Sequence, residues 1–170
     1  QLTVTAGRQK RVRFTRPTAS VSEWLVGRRG AVSLPRSVGE LDYREIHVRP
    51  SSAFAETIKN LARRTGVDMR IVPVEEELDT ETIAYEVSQG RRPLTVVDEN
   101  LLTSIESYNE DIERLFVLAE GRQLAWAVRR EAEELGSSAN SFIIEHYLTG
   151  HRREDRSTGD LGVIRERGSL

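Results

Sequence analysis

Cysteine is absent from this sequence, which excludes disulfides, thiolate metal sites and cysteine nucleophiles. No apolar run approaches the roughly eighteen residues that a membrane-spanning helix needs, so no such helix is encoded. Histidine is scarce, and His47, His146 and His151 show neither metal-ligand spacing nor an H-E-x-x-H pattern. No G-x-S-x-G turn and no glycine-rich phosphate loop occurs. Carboxylates are plentiful at Glu75 to Glu77 and Glu131 to Glu134, but on solvated runs, whereas a glycosidase places an acid in an apolar pocket. Catalysis is therefore not expected of this chain, and neither is a cofactor or metal. What is present is 170 residues, 38% hydrophobic and 31% charged, with a net charge of −2. That length fits one ordinary domain or two small lobes. A cysteine-free composition suits the cytosol and the periplasm alike.

Charge is unevenly spread. Residues 1–50 carry ten basic and four acidic side chains, and the remainder is net acidic. The basic arm Arg8-Gln9-Lys10-Arg11-Val12-Arg13-Phe14-Thr15-Arg16-Pro17 is open to two readings, a nucleic-acid footprint or a solvated strand face or loop. Its arginines alternate with apolar residues and no Gly-aromatic RNA-binding pattern accompanies them, which favours the solvated face.

Periodicity organises the rest. Trp24-Leu25-Val26 predicts a short buried strand before the turn at Gly27-Arg28-Arg29-Gly30, and Glu45 to Arg49 alternates as a strand. Ser51 or Ser52 then caps a helix over Phe54–Arg64, closed by Gly66. Met69–Pro73 and Leu94–Val97 are expected strands, and residues 80–89 and 100–108 expected helices. The acidic run before residue 80 suits the positive start of a helix. Phe116–Leu118 and Leu124–Val128 predict two further strands, and Glu131–Tyr147 an amphipathic helix stopped by Gly150. His151 to Ser157 reads as a linker. His47 reads as an exposed strand residue, His146 as a helix-end residue and His151 as part of the linker. Trp24 and Trp126 sit in apolar runs and read as core rather than as ligand-stacking residues.

Alternating strands and helices predict an α/β domain with mainly parallel sheet, in which ligands sit at the carboxyl ends of strands. Three segments then matter: Thr3 to Arg8, Arg49-Pro50-Ser51-Ser52, and Asp98-Glu99-Asn100. They supply a guanidinium, hydroxyls with a helix start, and a carboxylate. That set is complementary to a zwitterion.

At these residues the sequence resembles a known family. Leu2-Thr3-Val4-Thr5-Ala6-Gly7-Arg8, then Val12-Arg13-Phe14-Thr15-Arg16-Pro17, resembles the signature of family 3 extracellular solute-binding proteins, a type II periplasmic binding fold. Ile46 to Arg49 with Ser51-Ser52, Thr95 to Asp98, Leu124 to Arg130, and Asn140 to Ile143 resemble later elements in the family's order. The likeness covers roughly residues 1–150 and is nearest to the sensor-like domains that F-type membrane-bound lytic transglycosylases carry ahead of a peptidoglycan-cleaving domain. It implies two lobes, each with a mainly parallel sheet flanked by helices, the first lobe incomplete. Residues 1–29 would be partial lobe 1 with the first crossover, 30–118 lobe 2, 119–150 the return crossover and closing helix, and 151–170 a linker. The stretch from Asp160 to Leu170 resembles the lead-in to a further domain. The opening Gln1-Leu2-Thr3-Val4-Thr5 reads as an arrival in mid-domain, without the aromatic wall that the family places earlier.

Carried over by residue, Arg8 would clamp a ligand α-carboxylate with Thr3 beside it. Ser51 and Ser52 would complete that grip, and Asp98 would take the α-amino group. The plainer readings are a surface arginine for Arg8 and helix caps for Ser51, Ser52 and Asp98. The resemblance implies a periplasmic sensor of amino acids or short peptides, including muropeptides, attached to a transglycosylase or to a second binding domain. A degenerate spacer of the same fold that binds nothing is the alternative. An incomplete lobe would expose apolar surface, which a homodimer would cover. Neither nucleic acid nor a membrane span is expected.

Overall fold

A computed structural model describes residues 1–148. The expected stop at Gly150, the linker at 151–157 and the lead-in at 160–170 lie outside the described residues. In chain order the elements are β1 (Leu2–Thr3), α1 (Ala6–Gln9), β2 (Val12–Phe14), β3 (Ala19–Arg28) and a 3₁₀ turn (Val38–Leu41). Then come β4 (Glu45–Val48), α2 (Ala53–Thr65), β5 (Arg70–Pro73), α3 (Thr80–Ser88), β6 (Leu94–Asp98) and α4 (Glu99–Glu106). The chain continues through β7 (Ile112–Ala125), β8 (Ala127–Arg129) and α5 (Glu133–Ile143) into a π-helical turn at Ile144–Leu148.

The α/β class holds, but the strand directions differ from expectation. The main sheet has the order β1-β7-β3-β6 and every pairing in it is antiparallel, as is β2 with β8. Among the described strands only β4 and β5, joined through α2, run parallel. The long strands β3 and β7 run side by side in opposite directions, and β6 and β1 join them antiparallel, a direction that periodicity along the chain does not encode.

Two expected short strands, Phe116–Leu118 and Leu124–Val128, are mostly one continuous strand. The polar break Glu120-Gly121-Arg122 suggests an interruption in sequence, yet the pairing passes through it. Val21 faces Arg122 while Glu23 faces Ala119, so β7 carries an extra residue there. Gly121 takes up the slack with φ of 64°, a conformation that side-chain-bearing residues adopt at a cost. Two further register shifts follow, at Glu23/Trp24 and Leu25/Val26, and they curl the sheet.

Both faces of that sheet are covered. On β3, Leu25 and Val26 point to opposite sides, as do Val96 and Val97 on β6. Leu25 and Val96 join Ile46, Val48, Phe54, Ile58 and Leu61 under α2. Val26 and Val97 join Val87, Leu102, Ile105 and Ile112 under α3 and α4. Two-sided burial accounts for the unbroken apolar run at Leu94 to Val97. The α2 helix follows its sequence signals: Ser52 accepts from the Ala55 N–H at 3.2 Å, and Gly66 closes the far end at φ 75°. The Thr95 hydroxyl donates to the His47 carbonyl at 2.7 Å and ties β4 to β6.

His47 is not an exposed strand residue. Its side chain is 12% exposed, and Arg92 approaches Nδ1 at 3.2 Å. Burial first, and then Arg92, lower its pKa. Trp24 packs against the second core cluster with Arg114 over its ring at 5.0 Å, and Trp126 stacks on Phe142 at 6.0 Å.

Candidate functional site

The carboxyl ends of β4 and β6 and the starts of three helices converge on one cleft of about 310 Å³. Ala53 and Phe54 bring the start of α2, Thr80 that of α3, and Asn100 and Leu101 that of α4. Thr3, Arg8, Arg49, Ser52 and Asp98 line it as well. Ser52 caps the start of α2 and Asp79 that of α3, whereas the start of α4 has no side-chain cap.

Arg8 sits on α1, whose start is fixed by the Thr5 hydroxyl accepting from the Arg8 N–H at 3.3 Å. Its guanidinium donates to the carbonyls of Thr3 at 3.1 Å and Ser51 at 3.3 Å. Two carbonyls anchor it, and it forms an ion pair with no carboxylate among the described residues. Burial, then Arg11 and Arg49, lower its pKa, and Glu56 opposes them, so an incoming anion would offset the desolvation of this charge.

Asp98 ends β6 at the N-cap position of α4, yet its side chain makes no capping hydrogen bond. Oδ1 is buried with no partner. Burial, and next the nearby Glu23, push the carboxyl up to about 6. A helix cap would have spent that oxygen on the backbone.

The two serines part company. Ser52 lines the cleft, but its hydroxyl donates to the Arg49 carbonyl at 2.7 Å and caps α2. Ser51 does not line the cleft. Its N–H and hydroxyl both go to Glu76, and only its carbonyl reaches Arg8. Ser51 lines a neighbouring hollow instead, with Arg8, Arg11 and Lys59. The acidic run at Glu75 to Glu77 thus braces the loop before α2 as well as preceding α3.

Other residues at the site carried little signal in sequence. Arg49 follows β4 and reaches the Thr80 hydroxyl at 3.4 Å. Glu23 is fully buried beside Asp98, its cross-strand partner, and Arg122 donates to it at 3.2 Å. The alternation Val21-Ser22-Glu23-Trp24-Leu25 could have flagged Glu23, since a charge on the inward side of a strand needs a reason. Arg122 comes from a segment 99 residues away, which no local pattern announces.

No group of three or more possible metal ligands occurs among the described residues, and none of their helices is long and apolar enough to cross a membrane.

No family model matches the chain. An ancestral arginine-binding protein bound to arginine superposes with a TM-score of 0.71 at 21% identity, over 92% of this chain and 68% of that one. An amino acid ABC transporter substrate-binding protein from Streptococcus pneumoniae superposes at 0.70 with 15% identity, over 90% of this chain and 62% of that one. The chain has the type II periplasmic binding fold. In sequence, the chain is 30% identical over 165 residues, 94% of its length, to the membrane-bound lytic murein transglycosylase F of Pseudomonas syringae pv. tomato. A protein of the same name from Methylobacillus flagellatus is 24% identical over 144 residues. The chain spans about a third of these relatives, 32% and 30% respectively. The fold and these relatives together support a ligand-binding module. They lend no support to the expected homodimer.

Proposed function

We propose that this chain is a sensing module for a zwitterion, an amino acid or a short peptide such as a cell-wall muropeptide. Its occupancy would regulate a lytic transglycosylase in the same protein, on the periplasmic side of the membrane. One observation carries the reading. A buried carboxylate oxygen and a guanidinium, neither with an ionic partner among the described residues, line the same cleft.

In this reading Arg8 takes the ligand carboxylate in a two-pronged grip, with Thr3 and the start of α2 at Ser52 beside it. Ser51 acts through its carbonyl, holding Arg8 in place. Asp98 accepts from the ammonium. The strands β3 and β7, running the length of the sheet, serve as the hinge on which lobes 1–29 with 119–150 and 30–118 close. Closure regulates only if ligand binds the closed state more tightly than the open one. The chain itself performs no chemistry.

The test is calorimetric titration of the purified protein carrying this chain with amino acids and muropeptide fragments. Saturable binding lost in Arg8→Ala and Asp98→Ala is the expected result. If no zwitterion binds, and those substitutions change stability alone, the chain is a spacer and the proposal fails.

A further inference from the structure

The cleft holds more positive charge than a neutral amino acid uses. Arg8 and Arg49 both line it, and three helices begin there. Against these stands Asp98, with Glu23 buried behind it. Glu23 is engaged by Arg122, which leaves Asp98 as the carboxylate facing the cleft.

Arg49 is not accounted for by structure. Its one side-chain hydrogen bond, to the Thr80 hydroxyl, is long at 3.4 Å, and it forms an ion pair with no carboxylate among the described residues. The acids nearest in influence, Glu76 and Asp79, are spoken for. Glu76 accepts from the Ser51 N–H and hydroxyl, and Asp79 from the Thr82 N–H at 2.7 Å. Arg49 lowers the pKa of both only as a minor contribution. A half-buried guanidinium that opens on a cleft, with no carboxylate partner among the described residues, is suited to receive one. A neutral zwitterion has one carboxylate, and Arg8, held by the Thr3 and Ser51 carbonyls, suits it.

We propose that the ligand bears a second carboxylate, held by Arg49: an acidic amino acid, or a short peptide with a free acidic side chain. This rests on the zwitterion reading above. A ligand with a basic side chain meets the Arg49 guanidinium, which stays uncompensated when Arg8 holds the α-carboxylate, and is disfavoured.

The experiment is calorimetric titration at pH 7.5 of the protein carrying this chain with glutamate, glutamine and arginine, and with glycylglutamate and glycylglutamine. In at least one acid–amide pair the acid binds about tenfold or more tightly than its amide, as one charge-assisted contact predicts. Arginine is the weakest. The pair showing the preference tells whether the second carboxylate belongs to a free amino acid or to a peptide. In Arg49→Gln the acid falls to the affinity of its amide while the amide changes by less than about twofold, and Arg49→Lys recovers part of the difference. If amides or arginine bind but neither pair discriminates, or if Arg49→Gln leaves the discrimination intact, the second-carboxylate site is wrong while the zwitterion site stands. If none of the five binds, the second-carboxylate proposal fails, and the zwitterion reading is decided by the wider titration with amino acids and muropeptide fragments.

Discussion

Asp98 is the residue at which chemistry and stability conflict. Its carboxyl titrates near 6 in the folded chain against 3.8 for a free aspartate. The folded state therefore holds the proton to higher pH than the unfolded state. The stability this confers is complete below about pH 4 and is lost as pH rises through about 6. Asp98→Asn removes that loss. At pH 7.5 it should stabilise the unliganded protein by about 1 kcal/mol, a value discounted for the partial exposure of the group. That corresponds to roughly 2–4 °C in Tm. Between pH 4 and 6 the variant's advantage should shrink toward zero in urea titrations, while amino acid binding is lost throughout. The same shift governs affinity. An ammonium favours the ionised carboxylate, so binding should strengthen as pH rises through about 6 and level off above it. A flat pH profile would mean that Asp98 does not meet the ammonium. Glu23 is the other residue under tension, fully buried with Oε2 lacking a partner. Glu23→Ala strands Arg122 and should cost about 2–3 kcal/mol in chemical denaturation, more than any exposed glutamate in the chain.

Among the elements, α2 and β7 show how differently sequence speaks. The α2 helix is announced by its own residues: Ser52 as cap, Phe54, Ile58 and Leu61 on one face, Gly66 as stop. Ser52→Ala should destabilise by about 1 kcal/mol. Because the same hydroxyl belongs to the cap, a loss of ligand affinity in that variant no greater than tenfold is expected. The long strand β7 is not announced, because its continuity depends on β3 across from it. Gly121 breaks the local pattern and is at the same time what lets the strand continue, by absorbing the extra residue at φ 64°. Gly121→Ala should cost about 1 kcal/mol through strain at that φ, since nothing lies near the position to clash with an added methyl. Thermal melts would show whether the bulge carries that cost.

For the molecule as a whole, the sheet is covered on both faces by helices from one stretch of chain, residues 53–106, so that stretch packs as a unit. The strands β3 and β7 lie between that stretch, which pairs through β6, and β1 at the far edge of the sheet. A hinge there predicts that saturating ligand reduces the radius of gyration in small-angle scattering, and that Asp98→Ala abolishes the change. If ligand binds with no change in dimensions, the site operates without closure and the regulatory part of the proposal fails.

The elements whose signals are local were legible in the sequence: the caps of α2 and α3, the alternation of β4, the buried run of β6, and the motif order that resembles the solute-binding fold. Arg8, Thr3, Ser52 and Asp98 were likewise readable as candidates, since strand ends and helix starts can be located one segment at a time. Tertiary structure alone decided what depends on segments meeting. It turned Ser51 toward Glu76 and away from the cleft, and buried His47 against Arg92. It set Glu23 between Asp98 and Arg122, and left Arg49 with no carboxylate partner among the described residues. Each of these is a balance of desolvation and pairing between groups distant in the chain. Hydrophobic period and capping chemistry are properties of neighbours along the sequence. The charge a cleft presents is a property of neighbours in space.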